Sequence, residues 1–354
     1  MPLHGRGYTL NATRKSKETD DIVVIIFRCF EMNKEVVELF PERNVTLTTY
    51  LIDDSQEYRP GLKRPVVIIC PGGGYAYLSD READPIAFRY LAAGFHAAVL
   101  RYGINEYAVA PGPLRDIAAA VAYIKRLSND RNIDGENIYV CGFSAGAHVA
   151  AQLGVFWNNS ELLPEYKNDP ELVRPAGMIL GYPVLDLRST SKHLDIGIKP
   201  GADPEEVDFA QKHPKMPLDK MFIMDEKEGR YFIDFEVAMN AYIFDGEYTD
   251  LQEDFYSLQN QVSSSTAPAF IWHNGGDGLI FPTNSLKFAD AMQQAGVPYE
   301  LHIYNGGGHG VALGDHLTAN DENSYCPHAT GWMPQSIKWL NERSKFKENI
   351  LNNL

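Results

Sequence analysis

From residue 65 to residue 184, short apolar runs rich in β-branched residues alternate with amphipathic helical stretches, and this rhythm narrows the fold more than any other feature. The run "PVVIIC" (65–70) is apolar throughout, as a strand is when both of its faces are covered. "DPIAFRYLAAGF" follows at helical spacing with Gly94 near its end, and "HAAVLRY" reads as the next strand. "PLRDIAAAVAYIKRL" (113–127) opens on Pro113, whose missing N–H costs nothing in a first helical turn, and carries one apolar stripe. "NIYVCGF", "AGAHVAAQLGVF" and "AGMILGYPV" continue as strand, helix and strand. The rhythm resumes late in the chain with "APAFIWHN", "NSLKFADAMQQAG", "YELHIYN" and a closing amphipathic helix, "PQSIKWLNERSK". Such alternation builds a mainly parallel, doubly wound sheet with helices on both faces, because parallel strands need right-handed crossovers. The expected fold class is therefore α/β.

Two regions break the rhythm. Near the N-terminus "DIVVIIFRCF" and "VTLTTYLI" both read as strands, the second by clear polar–apolar alternation. Residues 1–44 are accordingly an N-terminal extension whose strands pack on the core, with residues 45–354 forming the main domain. Residues 186–265 keep no strand–helix order but are dense in aromatics, including Tyr231, Phe232, Phe235, Tyr242, Phe244, Tyr248, Phe255 and Tyr256. A stretch of that length folds rather than loops, and its expected place is a lid over the carboxyl edge of the sheet, where ligands bind. The aromatic cluster reads as lid core more than as a platform for sugars.

Charge and cysteine content exclude several function classes. The chain has 47 acidic against 32 basic residues in 354, a formal net charge of -15, which opposes nucleic-acid binding. No apolar run is long enough to span a bilayer, and the first residues lack the apolar core of a secretory signal. A soluble, cytoplasmic protein without nucleic-acid or membrane partners is expected, and a homo-oligomer is left open. Cys29, Cys70, Cys141 and Cys326 are far apart, and Cys70 and Cys141 end strand-like runs where a thiol serves as a small apolar group. Reduced thiols are expected. His316, Cys326 and His328 lack metal-ligand spacing, so no metal and no organic cofactor are expected.

The chemistry-bearing residues fall where strands end. Ser144 lies in Gly142-Phe143-Ser144-Ala145-Gly146, a G-x-S-x-G at a strand-to-helix turn. Such a pattern serves either an exposed nucleophile or a turn that needs small residues. "CPGGGYAYLS" (70–79) follows the buried strand, and its three glycines let backbone N–H groups face a cavity, as a developing oxyanion requires. The lysine-containing and G-x-G-x-x-G phosphate patterns are absent there. Asp277 lies four residues past a strand in "HNGGDGLIFP", and His309 lies in "YNGGGHGVAL" among Gly306, Gly307, Gly308 and Gly310. The order Ser144, Asp277, His309, each at the carboxyl end of a strand, would bring all three to one edge of a parallel sheet.

These stretches, with "CPGGGYAYLSDREADPIAFRYLAAGFHAAVLRY", "GFSAGAHVAAQLG" and "GWMPQSIKWL", resemble the α/β-hydrolase superfamily, in its bacterial acetylxylan-esterase and feruloyl-esterase-like group, over about residues 60–345. The resemblance implies a serine esterase with Ser144 as nucleophile, His309 as base and Asp277 as its orienting acid. It places the oxyanion donors at the N–H groups of Gly73, Gly74 and Ala145. The implied substrate is a small-molecule ester, an acylated sugar or xylo-oligosaccharide. A peptidase or amidase of the same fold and a non-catalytic binding protein are the alternatives. The insertion looks longer than is usual for the group, and the first forty residues have no counterpart in it. Tyr75, Tyr77 and Tyr182 are expected to line the acyl pocket. Arg81 and Glu82 are placed at the site mouth, as a pair across it or as a solvated ion pair. His148, one helical turn past Ser144, is expected to be a core residue.

Overall fold

The computed structural model describes residues 32–57, 59–128, 130–195, 217–322 and 324–347. The strand expected in residues 21–30, Cys29 and part of the insertion lie outside them. Among the described residues eight strands form one sheet: β1 (Met32–Phe40), β2 (Val45–Ile52), β3 (Arg64–Cys70), β4 (His96–Arg101), β5 (Ile133–Phe143), β6 (Gly177–Gly181), β10 (Ala269–Asn274) and β11 (Tyr299–Tyr304). Their order is β1-β2-β4-β3-β5-β6-β10-β11. From β4 to β11 every pairing is parallel, while β1 to β2 and β2 to β4 are antiparallel. The chain thus enters as an antiparallel hairpin and continues as a doubly wound α/β sheet. A domain boundary at residue 44 falls inside that hairpin.

Helices α1 (Asp84–Ala92), α2 (Gly112–Leu127), α3 (Ala145–Phe156), α6 (Thr283–Gln294) and α7 (Trp332–Ser344) are the crossovers and the closing helix. Two apolar layers result. One gathers Ile68, Leu114, Ile117, Val140, Val149, Leu153 and Leu180; the other gathers Val67, Ile69, Tyr90, Phe143, Trp272 and Trp332. Alternate residues of β3, Val66 and Ile68 against Val67 and Ile69, go to opposite layers, as the pleat of a strand covered on both faces dictates. α3 is buried along its whole length, so its sequence is apolar all round rather than striped.

The described part of the insertion comprises a small antiparallel sheet, β7 (Leu194–Asp195), β8 (Phe222–Asp225) and β9 (Arg230–Ile233), then α4 (Phe235–Phe244) and α5 (Asp250–Tyr256). Local signals start both helices. The Asp234 side chain accepts from Val237 N–H, and Thr249 and Gln252 form a reciprocal capping box. Arg188 ties the insertion's first turn to Glu253 and Asp254, and Asn240 donates to Glu253 at 2.7 Å. Most of the aromatics pack on one another: Phe244 on Tyr248 and Tyr256, and Phe255 on Phe156 and Tyr256.

Cys70, Cys141 and Cys326 are unpaired and buried. No helix among the described residues is long and apolar enough to cross a membrane.

His96 and His148 are fully buried, and burial pushes both imidazoles down to about 4. Each is satisfied as the neutral ring. His96 Nδ1 accepts from Ile52 N–H at 3.0 Å, and His148 Nδ1 accepts from Tyr75 OH at 2.7 Å. Below the ordinary pKa of about 6.5 the unfolded chain takes up protons that the folded chain refuses until about pH 4. Stability from these rings is therefore full above pH 6.5 and lost as pH falls toward 4. At pH 5 the loss is about 2 kcal/mol per ring. Asp116 works in the opposite sense, because burial raises its carboxyl to about 6 against the pull of Gly103 N–H and Arg43, and it returns about 1.4 kcal/mol at pH 5. The histidines win. The thermal midpoint is expected to fall by several degrees between pH 7.5 and pH 5.0 in a melting series; a flat profile contradicts this.

Candidate active site

Ser144 occupies the single residue between β5 and α3, at φ 52 and ψ -120. That backbone is strained for a side chain-bearing residue and is what holds the hydroxyl up at the turn. The flanking glycines have a steric reason. A Cβ on Gly142 would lie 2.2 Å from Gly146 O, and one on Gly146 would lie 2.1 Å from Cys70 O. Strand, turn and helix can approach this closely only without those methyl groups. Ser144 is 5% exposed at the floor of a cavity.

His309 Nε2 lies 2.8 Å from Ser144 Oγ, and its Nδ1 lies 2.7 Å from Asp277 Oδ2. A carboxylate oxygen only accepts, so Nδ1 carries the proton and Nε2 is left to accept from the serine hydroxyl. Asp277 Oδ1 accepts the N–H groups of Leu279 and Ile280, each at 3.0 Å. Burial pushes the Asp277 carboxyl up, but the His309 charge and the hydrogen bonds from His273 and His309 outweigh it, and the group is held well below the usual carboxylate range. The loops carrying the two residues are sewn together. Asn274 donates to Gly308 O at 2.9 Å, Gly275 N–H to Tyr304 O at 2.7 Å and Gly276 N–H to Gly306 O at 3.2 Å.

His273 is a supporting residue that sequence reasoning missed. Its Nε2 contacts Ile280 O at 2.9 Å and Asp277 Oδ2 at 3.2 Å, while Nδ1 meets the Ser285 hydroxyl at 2.8 Å. Ile280 O only accepts, so Nε2 carries the proton and also bonds the aspartate. Its position inside an apolar strand gave no signal beyond its nearness to Asp277.

The glycine loop leads directly out of β3. Gly73 O accepts the N–H groups of Ala76 and Tyr77, so the loop folds back on its own carbonyl. Among the described residues the N–H groups of Gly73 and Gly74 donate to no protein acceptor, nor does that of Ala145, the first amide of α3. Gly73 and Gly74 line the same cavity as Ser144 and His309. These are the three amides that the sequence reading names as oxyanion donors, and the positive end of helix α3 lies beside them.

Three expectations around this loop need correction. Tyr75 does not line the pocket. Its backbone is left-handed (φ 65), which turns the ring back into the core, edge-on to Tyr102 with its hydroxyl on His148. Tyr182 is fully buried beneath the histidine, its ring edge-on to the His309 imidazole at 5.0 Å, and so is no pocket wall. Glu82 is not at the mouth with Arg81. It is buried below the glycine loop, where Oε2 accepts Gly72 N–H at 2.7 Å and Oε1 accepts Tyr182 OH at 2.6 Å. Tyr182 in turn accepts Ala312 N–H at 3.0 Å. Glu82 and Tyr182 thus brace the glycine loop against the loop that carries His309. His148 is the expected core residue, and Tyr77, 62% exposed, does line the cavity.

The cavity is about 420 Å³. The insertion supplies an apolar wall from Leu194, Ile233, Phe235, Ala238, Met239 and Tyr242. Tyr77, Ser79, Arg81 and an edge of the buried Glu82 supply its polar side.

Comparison with known proteins agrees with this architecture. Residues 56–207 match the BD-FAE family model, and residues 227–325 match that of the prolyl oligopeptidase family. Endo-1,4-beta-xylanase B of Butyrivibrio fibrisolvens is 28% identical over 268 residues, covering 74% of this chain and 34% of that protein. The chain therefore spans about a third of that relative's length. Two solved structures cover nearly all of both partners. A carboxylesterase from Lactobacillus plantarum has a TM-score of 0.66 at 27% identity, covering 89% of this chain and 98% of that one. An acetyl ester-xyloside bifunctional hydrolase from Caldicellulosiruptor lactoaceticus has a TM-score of 0.63 at 26% identity, covering 88% and 97%. Sheet order, site position and these likenesses point the same way: the chain belongs to the α/β-hydrolase superfamily, and it is similar there to carboxylesterases and to acetyl ester hydrolases.

Proposed function

We propose that the chain hydrolyses carboxylic esters through an acyl-enzyme on Ser144. The observation that carries this reading is the continuous hydrogen-bonded line from Ser144 Oγ through His309 to Asp277, beside three unpartnered amides. Neutral His309 takes the serine proton as Oγ attacks the ester carbonyl, and Asp277 stabilises the imidazolium that forms. The N–H groups of Gly73, Gly74 and Ala145 receive the oxyanion. Each donor of this kind is worth about 2.7–4 kcal/mol in the transition state. The C–O bond then breaks, His309 returns its proton to the alcohol, and water repeats the cycle on the acyl-enzyme. The scheme uses no metal and no organic cofactor.

For the substrate we propose a short acyl group on a sugar alcohol. The apolar lid wall suits the acyl chain, and relatives named as a xylanase and as an acetyl ester-xyloside hydrolase support the sugar. A peptidase or amidase reading rests on the match to the prolyl oligopeptidase model. p-Nitrophenyl esters from acetate to octanoate, an anilide of the same acyl group and acetylated xylo-oligosaccharides separate these readings. Turnover of acetyl to butyryl esters and release of acetate from the oligosaccharides are expected. Preference for chains longer than about four carbons with no sugar-ester activity overturns the carbohydrate assignment. Anilide cleavage rivalling that of the ester overturns the esterase assignment.

A further inference from the structure

Arg81 stands in the wall of the catalytic cavity without a carboxylate partner among the described residues, in a protein of net charge -15. Four arginines of the described residues, by contrast, pair with carboxylates: Arg43 with Asp116, Arg89 with Asp315, Arg101 with Asp80, Arg131 with Glu35. Neither acidic neighbour of Arg81 in sequence forms an ion pair with it, although Glu82 also edges the cavity. Asp80 pairs with Arg101, and Glu82 accepts Gly72 N–H and Tyr182 OH. Among the described residues Arg81 makes one hydrogen bond, from Nη1 to Thr318 O at 3.1 Å, which holds the guanidinium and leaves its other donors without a described partner. A planar guanidinium so held is a ready partner for a carboxylate, with two parallel N–H donors.

Its position selects one half of the ester. Arg81 Nη2 lies 3.8 Å from where a Cβ on Gly310 would be, so the cation sits beside the residue that follows His309. The leaving oxygen must also lie on the His309 side, since His309 protonates it. The apolar lid wall meets the glycine loop instead, with the Phe235 ring 3.4 Å from where a Cβ on Gly74 would be. On the esterase reading above, on which this inference rests, we propose that Arg81 binds a carboxylate carried by the alcohol half of the substrate. The natural substrate is then an acyl ester of a hydroxy acid, and among sugars an acidic one. The protein's overall negative charge does not forbid this. Exposed carboxylates beyond about 8 Å are screened at physiological ionic strength, whereas a direct contact with Arg81 is not.

A matched pair of esters tests it: 4-(butyryloxymethyl)benzoate and its neutral isostere 4-(butyryloxymethyl)benzamide. Wild type is expected to prefer the carboxylate by about 10- to 100-fold in kcat/KM, the range of a charged hydrogen bond. Arg81→Met should bring the ratio near one, and Arg81→Lys should keep part of it. Equal rates on the two esters in wild type, or a ratio unmoved in Arg81→Met, overturn the proposal. Calorimetric binding of 4-(hydroxymethyl)benzoate to the Ser144→Ala protein reads the site without turnover. Binding that is lost in the Ser144→Ala, Arg81→Met double variant supports the proposal even if these esters are poor substrates. Absence of binding alongside turnover of neutral esters overturns Arg81 recognition and leaves the esterase reading standing.

Discussion

Ser144→Ala is expected to lower kcat on p-nitrophenyl acetate by at least ~10³-fold while the folded structure persists. The hydroxyl is the atom that would become acylated, and nothing else in the cavity replaces it. His309 and Asp277 stay in place without it. Their mutual hydrogen bond and the three-way ties of Asp277 to Leu279, Ile280 and His273 do not pass through the serine. Removing one oxygen leaves the turn backbone intact, so circular dichroism and the thermal midpoint should match wild type. Wild-type turnover in this variant contradicts the nucleophile assignment.

Asp277→Asn is expected to cost about as much, ~10³–10⁴-fold in kcat near neutral pH, through a different physical step. The aspartate oxygen facing His309 Nδ1 only accepts, which forces the proton onto Nδ1. An amide can present N–H there instead, so Nδ1 becomes the acceptor and Nε2 carries the proton toward Ser144. The base is then lost although every ring is in place. KM should move little beside kcat. The same carboxyl contributes a stability term. Held below the ordinary aspartate range, it favours the folded state above about pH 4, and that gain is lost as pH falls toward its folded value. Activity within tenfold of wild type in Asp277→Asn contradicts the assigned role of the carboxylate.

Much of the fold was legible because burial on both faces leaves a plain mark. β3, the second half of β5 and most of β10 are apolar runs that no one-sided strand would show, and α3 was located to the residue from its apolar sequence. The antiparallel edge strand β1 was not, because its residues alternate charged and apolar around exposed positions and a more apolar run precedes it. Strands β7 to β9 were missed for another reason. They are two to four residues long, too short for any period to register.

The site residues placed by strand ends and glycines are those the structure brings together. Ser144, Asp277, His309, Gly73 and Gly74 all sit where the backbone, rather than packing, sets direction. The tyrosines failed because direction there depends on single dihedral angles. A left-handed Tyr75 faces the core, while Tyr77, two residues on, faces the cavity. Glu82 failed because a buried acid looks like a surface acid in sequence, and its partners Gly72 and Tyr182 lie 10 and 100 residues away.

Reaction of the wild-type protein with a fluorophosphonate probe, followed by intact mass and peptide mapping, isolates the nucleophile from every question of substrate. One adduct on Ser144, slowed strongly in Asp277→Asn and absent in Ser144→Ala, is the predicted result. An unlabelled protein, or an adduct on a different residue, would contradict the assignment of this edge of the sheet as a serine-esterase active site.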